Sequence, residues 1–478
     1  MIALSVAEIA AVTGGALRPA GSRAAAESDV IAGGPVVIDS RQAAPGALFA
    51  ALPGEQVDGH DFAAAAVRAG AVAVLASRPV DDVPGTPVII VPDVTEALGA
   101  LARAVLARLP DATVVGITGS SGKTSTKDLA AQLVERLGAT IAPVGSFNNE
   151  LGLPLTVLRA DESTRYLVLE MSARGIGHIA QLCGIAPPRI GVVLNVGRAH
   201  AGEFGSLDAV AKAKGELVEA LPADGIAILN ADDPNVLPMA ARTQAAVKTF
   251  SVSAARTADR QADVRAAAIS LDDLGRASFR LTRAGASADV QLRLHGAHHV
   301  ANALAAAAIA AELGLDVASI AAALSNATAR SKKRMELTRR ADGVLVVNDA
   351  YNANPDSTRA AIDALRHLTS TGRRGFAVLG YMAELGDLAD ASHQEAGRLA
   401  AQAGVAGLVA VGELAAPVLT GARAQAGWQG EAIAATDAKA AIEVLQNRLR
   451  PGDVVLVKAS KSAGLWEVAD GLLAEVDQ

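Results

Sequence analysis

Val114-Val115-Gly116-Ile117-Thr118-Gly119-Ser120-Ser121-Gly122-Lys123-Thr124 is an apolar run of β type that stops in a glycine-serine loop. Beyond it Leu129, Leu133, Val134 and Leu137 recur at helical spacing, and Gly138 is a natural stop. Strand, loop and helix in that order describe a cradle for phosphate. Gly119 and Gly122 let the backbone curl, with Ser120 and Ser121 between them, until several N–H groups converge at the positive end of the helix. Lys123 supplies a point charge and Thr124 a hydroxyl suited to Mg²⁺. The common pattern has glycine five residues before Gly122, where this chain carries Ile117. The stretch therefore predicts a shortened P-loop, against the alternative of a chance glycine-rich turn.

The chain around it has 478 residues, too many for one ordinary core and enough for three domains that each bury their own. Hydrophobic residues make up 51% and aromatics only 3%, so the cores are built from Ala, Val, Leu and Ile. A net charge of -7 without a basic run gives no electrostatic reason to expect nucleic acid, and the partner is a small molecule. The single cysteine, Cys183, excludes an intramolecular disulfide and fits a reducing compartment. No apolar run approaches membrane-spanning length and no positive cluster precedes an apolar N-terminal stretch, so a cytoplasmic protein without membrane insertion is expected.

Ser5-Val6-Ala7-Glu8 has capping-box spacing and predicts a short opening helix that ends at Gly14-Gly15. Val36 to Arg41 reads as a strand ending in the polar triplet Asp39-Ser40-Arg41. Arg41 there can fork onto a phosphate or form a surface salt bridge. Turn, strand and turn follow from Pro45 to Gly54, then an alanine-rich helix from Asp58, the strand Val88 to Val91, a helix around Leu98 to Leu109, and a break at Pro110-Asp111.

From the P-loop strand onward the β-α rhythm is that of a doubly wound sheet, whose working groups gather at the carboxyl ends of its strands. Tyr166-Leu167-Val168-Leu169-Glu170 closes on a carboxylate; Ile190 to Asn195 runs toward His200; Ile226 to Asn230 ends beside Asp232 and Asp233. Glu170 is costly to bury without a partner, which a metal beside phosphates or a salt bridge would supply. Asn148 and Asn149 either read substrate amides or cap the helix after them. Lys212 and Lys214 sit on a helix from Ala209 to Leu217, where surface lysines are the default. His298, His299 and Asn302 open an alanine-rich helix ending at Gly314. After a basic linker, Ser325 to Arg334, a second open α/β sheet is expected, with strands Val344 to Val347, Phe376 to Leu379, Leu408 to Val411, Ala432 to Ala434 and Val454 to Val457. Asn348 to Pro355 and Lys458-Ala459-Ser460-Lys461 follow two of them.

These pieces together resemble the Mur ligase family, ATP-dependent amide-bond synthetases that extend the peptide of the cell-wall precursor. Gly116 to Thr124 is similar to that family's own short P-loop; Glu170-Met171, Asn195 with Ala199-His200, Lys214-Gly215-Glu216 and Gly296 to Asn302 fall in its order. His299 stands where the family commonly has asparagine. Asn148 to Pro154, Tyr351 to Ser357, and Met382-Ala383-Glu384-Leu385-Gly386 with His393 are similar to the member that adds D-alanyl-D-alanine to UDP-N-acetylmuramoyl-tripeptide.

The resemblance implies an α/β protein with a UDP-substrate domain (1–110), a central P-loop doubly wound parallel-sheet ATPase domain (111–328) and a Rossmann-like domain (329–478). It implies catalysis by Lys123, Glu170, His200 and Lys214, with metal on Thr124, Glu170, His200 and a Lys214 carboxylated on its amine by CO₂. ATP would be held by residues 119 to 124 with His298, Asn302, Arg334 and Asp349, and substrates by Ser40, Arg41, Asn148, Asn149, Tyr351, Asn352, Asn354 and Lys458. Mg²⁺, a monomer, and an open shape that closes on ligands belong to the same expectation. Two other readings compete: another amide ligase of the superfamily, and a regulator that hydrolyses ATP slowly.

Overall fold

The computed structural model describes residues 1–18, 29–54, 57–197, 204–253 and 262–474. Three mixed sheets, each sandwiched by helices, follow one another along the chain, and a short two-stranded ribbon precedes them. The first sheet runs in the order Ala16–Arg18, Val88–Ile90, Ala71–Ala76, Ala47–Ala51, Val36–Val37, parallel except for its first strand. Ser5 and Glu8 form the expected capping box on the helix Val6–Thr13, and Gly14 closes it with φ of 65°. The strand expected to reach Arg41 is only Val36–Val37. Asp39 then accepts from the Arg41 N–H at 3.0 Å and turns the chain into the short helical turn Ser40–Gln42. The local Asx turn outcompetes the ladder.

The central sheet has nine strands, and the P-loop strand Thr113–Thr118 lies inside it, between Tyr166–Glu170 and Ile190–Val193. All three are parallel, with Glu170 opposite Ile117 and Val193 opposite Thr118, so their carboxyl ends leave the sheet at one level. Beyond Ile226–Asn230 and Ala246–Ser251 the sheet continues through Val264–Leu271, Arg276–Arg283 and Ala286–His295, the last two antiparallel. The sequence reading passed over this meander. Its alternation of Phe279, Leu281, Val290, Leu292 and Leu294, all buried, is the period of two that marks it.

The third sheet has the five expected strands, all parallel, as Leu345–Asn348, Val454–Lys458, Gly375–Leu379, Gly407–Val411 and Glu431–Ala435 in spatial order. An antiparallel edge strand, Glu336–Arg339, lies beside the first of them.

The first two units do not keep separate cores. Leu98, Leu101 and Val105 on the helix Val94–Ala107 belong to one continuous cluster with Leu153, Val157, Ile179 and Ile185 of the central unit. The other face of the central sheet is filled by the P-loop helix Lys123–Val134 and the alanine-rich helix His299–Glu312. Small side chains let these two helices approach closely.

The P-loop helix also grips the linker to the third sheet. Asp128, Gln132 and Glu135 share one face. Asp128 accepts from the Ser331 N–H at 2.8 Å, Gln132 bonds both to the Thr328 N–H at 3.1 Å and to its carbonyl at 3.0 Å, and Glu135 takes a two-pronged ion pair from Arg330. Asp128 is also the counter-ion of Lys127, and both are almost fully buried. Removing one partner of a buried pair strands the other. Asp128→Ala should lower stability by about 3–5 kcal/mol in urea unfolding; a loss below about 1 kcal/mol would show that the pair is already solvated.

Candidate active site

The loop after Thr118 behaves as a cradle because its neighbours fix it. Gly122 has φ of 79°, and a Cβ there would lie 2.5 Å from Oδ1 of Asn302, so conformation and space both call for glycine. Asn195, just past the neighbouring strand, accepts from the Ser121 N–H at 2.9 Å and donates to the Ser121 carbonyl at 3.2 Å. Ser120 donates to the Gly197 carbonyl at 3.2 Å and accepts from its N–H at 2.8 Å. Asn302 accepts from the Thr126 hydroxyl at 3.3 Å. Asn195 is therefore a shaping residue that motif order flagged without giving it a task; its place just after a strand end was the available signal.

Glu170 is fully buried beside the first turn of the P-loop helix. Its Oε2 accepts from the Thr124 hydroxyl and from the Asn148 amide, both at 3.2 Å, whereas its Oε1 is buried without a hydrogen-bond partner. A buried carboxylate oxygen left bare is costly. With a threonine hydroxyl at its side, it forms a hard oxygen donor set that suits Mg²⁺.

Cations crowd the same place. Lys123 donates to the Gly119 carbonyl at 2.6 Å. Crowding by protein pushes its amine down to about 8, against the pull of Glu170, and the Arg334 guanidinium pushes the same way. Lys214 is buried, and burial followed by repulsion from Lys123 puts its amine well below the usual lysine range. Lys212, two positions earlier, faces solvent instead. The backbone presents Arg334 deliberately: Lys333 and Met335 on either side have φ of 62° and 50°. Its guanidinium stacks on Tyr351 at 4.4 Å, and its Nε is buried without a partner. Lys123 and Arg334 beside the loop make a positive site suited to a polyanion.

The third unit closes the other side of a cleft of about 890 Å³ lined by Ser120 through Thr124, Glu170 and Arg334. Tyr351 meets Ser146 across it, hydroxyl to hydroxyl at 2.5 Å, and the Asn354 amide reaches the Ser120 carbonyl at 3.5 Å. The two units thus touch at the loop, where an open shape was expected.

Asn148, Asn149, His298, Asn302, Asp349, Asn352 and Lys458 line the same cleft. Their tasks differ. Asn149 caps the helix Gly152–Val157 through the Gly152 N–H at 2.9 Å, and Asn354 forms a capping box with Ser357 on Pro355–Thr369. Lys458 is buried and bonds Asp349 at 2.6 Å and the Asn352 carbonyl at 2.9 Å; Asp349 spends its other oxygen on the Met335 N–H at 3.1 Å. His298 and His299 stack at 4.3 Å, and burial holds both rings below the usual imidazole range. Asp232 and Asp233 are spent on the backbone N–H groups of Val252 and Val196.

Arg41 is not brought to this cleft. It lies on the surface, forked onto Asp39 at 2.7 Å, and of that stretch Ile38 lines the cleft while Ser40 does not. His200, with its neighbour Ala199, lies outside the described residues. Val144 and Phe147, 73% and 52% exposed, also line the cleft. Apolar types carry no chemical flag in a sequence, so these two escaped notice.

The sequence matches three family models along its length: "Mur ligase family, catalytic domain" over residues 35–105, "Mur ligase middle domain" over 117–310 and "Mur ligase, glutamate ligase domain" over 333–461. It is 49% identical to the UDP-N-acetylmuramoyl-tripeptide–D-alanyl-D-alanine ligase of Mycobacterium bovis across 99% of this chain and 98% of that one. It is 38% identical to the Escherichia coli enzyme of the same name, across 91% and 93%. Its fold superposes on MurF of Acinetobacter baumannii with a TM-score of 0.85 at 29% identity, covering 99% of both chains. With MurF of Thermotoga maritima, solved in complex with ADP, the TM-score is 0.78 at 29% identity, over 93% of this chain and 98% of that one. Full-length likeness in sequence and in fold thus agrees with the family models, and the chain belongs to the Mur ligase family.

Proposed function

We propose that this chain is an ATP-dependent ligase that joins D-alanyl-D-alanine to UDP-N-acetylmuramoyl-tripeptide through an acyl phosphate. The end-to-end likeness to ligases of that name carries the substrate assignment, and the Glu170 and Lys123 surroundings supply the chemistry. A carboxylate does not condense with an amine at neutral pH because its oxygen leaves too poorly. Attack of that carboxylate on the γ-phosphate of ATP releases ADP and turns the oxygen into a phosphate leaving group. The amine then forms the C–N bond as phosphate departs.

Phosphoryl transfer asks mainly for positioning and charge neutralisation. The loop amides of 119 to 124 cradle the phosphates, Lys123 and Arg334 neutralise the developing charge, and His298, Asn302 and Asp349 face the nucleotide. Thr124 and Glu170 would hold Mg²⁺, which suits the bare Oε1, and the ion would supply shielding of phosphate charge there. His200 and Lys214 are the further ligands in this reading. A neutral Lys214 amine adds to CO₂ with loss of one proton and becomes a carbamate, turning a repelling cation into two anionic oxygens. The burial of Lys214 beside Lys123 supports that choice.

Asn148, Tyr351, Asn352 and Lys458, with Asn149 and Asn354 as caps, shape the substrate side of the cleft. The stretch 1–110 takes the UDP end through the region of Ser40 and Arg41, 111–328 binds ATP, and 329–478 admits the dipeptide. No helix among the described residues is long and apolar enough to cross a membrane; in this reading the enzyme works in the cytoplasm, where ATP and UDP-linked substrates are at hand, and works as a monomer.

One incubation with ATP, Mg²⁺, UDP-linked tripeptide and D-alanyl-D-alanine should yield the mass of the pentapeptide product. Phosphate release with each wall amino acid in turn should single out the dipeptide, and efficient turnover with another amine, or with none, would overturn the assignment. Lys214→Ala should lose most activity and regain part of it with small carboxylic acids, whereas full activity without them would remove the carbamate. Since the Lys123 amine is held near 8, it is charged below that pH and loses its proton above it. ATP binding measured without metal should therefore weaken as pH rises from 7 to 9, and Lys123→Met should abolish that dependence.

A further inference from the structure

Tyr381 to Gly386 follows the carboxyl end of the strand Gly375–Leu379, and its Met382-Ala383-Glu384-Leu385-Gly386 has no part in the ATP chemistry above. Glu384 has φ of 63°, a left-handed conformation that residues with a Cβ avoid. Such strain persists only where the surroundings over-determine it, and it clusters at functional sites. Here three contacts impose it. The Met382 N–H donates to Nε2 of His393 at 2.8 Å, the Ala383 N–H to the Ser460 hydroxyl at 2.9 Å, and the Thr358 hydroxyl to the Met382 sulfur at 3.5 Å. Because a backbone N–H can only donate, Nε2 of His393 accepts. Its Nδ1 then carries the proton, given to the Ala389 carbonyl at 2.7 Å. His393 is buried, and burial favours this neutral ring.

The braced loop turns the Glu384 carboxylate into the cleft, where Arg174 of the central unit stands 3.8 Å away. A carboxylate is out of place among groups that receive a triphosphate, a UDP-linked substrate and an acyl phosphate, since it repels all of them. It attracts a cation. Of the third unit's other carboxylates in the cleft, Asp349 is tied to Lys458 and Met335, and Asp356 lies against the Gly197 backbone beside the phosphate loop. At neutral pH the amine that must attack the acyl phosphate arrives as an ammonium.

We infer that Glu384 receives the ammonium group of the incoming dipeptide and sets it at the mouth of the cleft facing the activated carboxyl. This rests on the ligase reading above and adds the group that recognises the amine substrate. A carboxylate offers about four acceptor sites, so an ammonium can join the contacts Glu384 already has, Arg174 among them. Ionised hydrogen bonds are about twice as strong as neutral ones, which makes the contact selective for a charged amine.

The test compares wild type with Glu384→Gln and Glu384→Asp. The Gln variant should raise KM for D-alanyl-D-alanine at least tenfold, with KM for ATP and for the tripeptide changed less than twofold, and Asp should restore part of the loss. Hydroxylamine, uncharged at neutral pH, should trap the acyl phosphate as hydroxamate equally well in all three. Propionyl-D-alanine, which lacks the ammonium, should inhibit wild type and Gln variant alike.

An unchanged dipeptide KM, a rise in the tripeptide KM instead, or equal weakening of propionyl-D-alanine would each overturn the inference. The last is the result expected if the substitution merely collapses the loop. Absence of hydroxamate from the wild type would strike the ligase reading itself, and this inference with it.

Discussion

The cleft is arranged around one electrostatic contact: a buried carboxylate, Glu170, beside Lys123 and Arg334. Burial holds Lys123 below the usual lysine range and the Arg334 guanidinium pushes the same way, while burial followed by repulsion from Lys123 does the same to Lys214. The backbone makes the crowding unavoidable. Parallel pairing of Tyr166–Glu170 and Ile190–Val193 with the P-loop strand brings their ends to one level, and strained residues on both sides of Arg334 drive it in from the third unit. Polyanionic substrate relieves the repulsion, so binding energy is stored in the free protein as uncompensated charge and released where phosphate charge moves.

A site of this kind works only if its walls cannot drift apart. The first and central units share a continuous core. The third is tied through the linker, which lies along the P-loop helix on Asp128, Gln132 and Glu135. The helix whose first turn faces the phosphates therefore also fixes where the third unit begins. Sites carried on such elements are placed more accurately than sites carried on loops.

Much of this was legible beforehand, for identifiable reasons. Strands buried on both faces read as unbroken apolar runs; Tyr166–Glu170 kept its expected bounds, while Ile190 was expected to run to Asn195 and its strand ends at Val193. The short P-loop was visible because glycine, lysine and threonine each have one reason to stand where they do. What stayed hidden depends on three dimensions. The meander from 264 to 295 alternates polar and apolar residues under turns that look like loop. Arg41 met Asp39 because an Asx turn two residues long is a local competitor that strand patterning ignores. The shared core could not be seen at Pro110-Asp111, since a break in the chain says nothing about which faces meet. The unpartnered Oε1 of Glu170 is likewise a property of packing.

Lys214-Gly215-Glu216 shows what a family run can mean physically. Its three residues serve three neighbours. Lys214 turns inward to Lys123. Gly215 leaves room for the Arg242 guanidinium, which bonds the carbonyls of Ala211 and Lys212 and would collide with any Cβ at that position. Glu216 accepts from the N–H groups of Gly177 and Ala180 at 2.6 and 3.0 Å, holding the start of the helix His178–Ile185. The loop ahead of that helix carries Arg174, which meets Glu384 of the third unit. Glu216 and the helix it holds connect the segment of Lys214 to Arg174 and, through it, to Glu384 of the third unit. One turn of helix thus serves three neighbours at once, each residue on its own side.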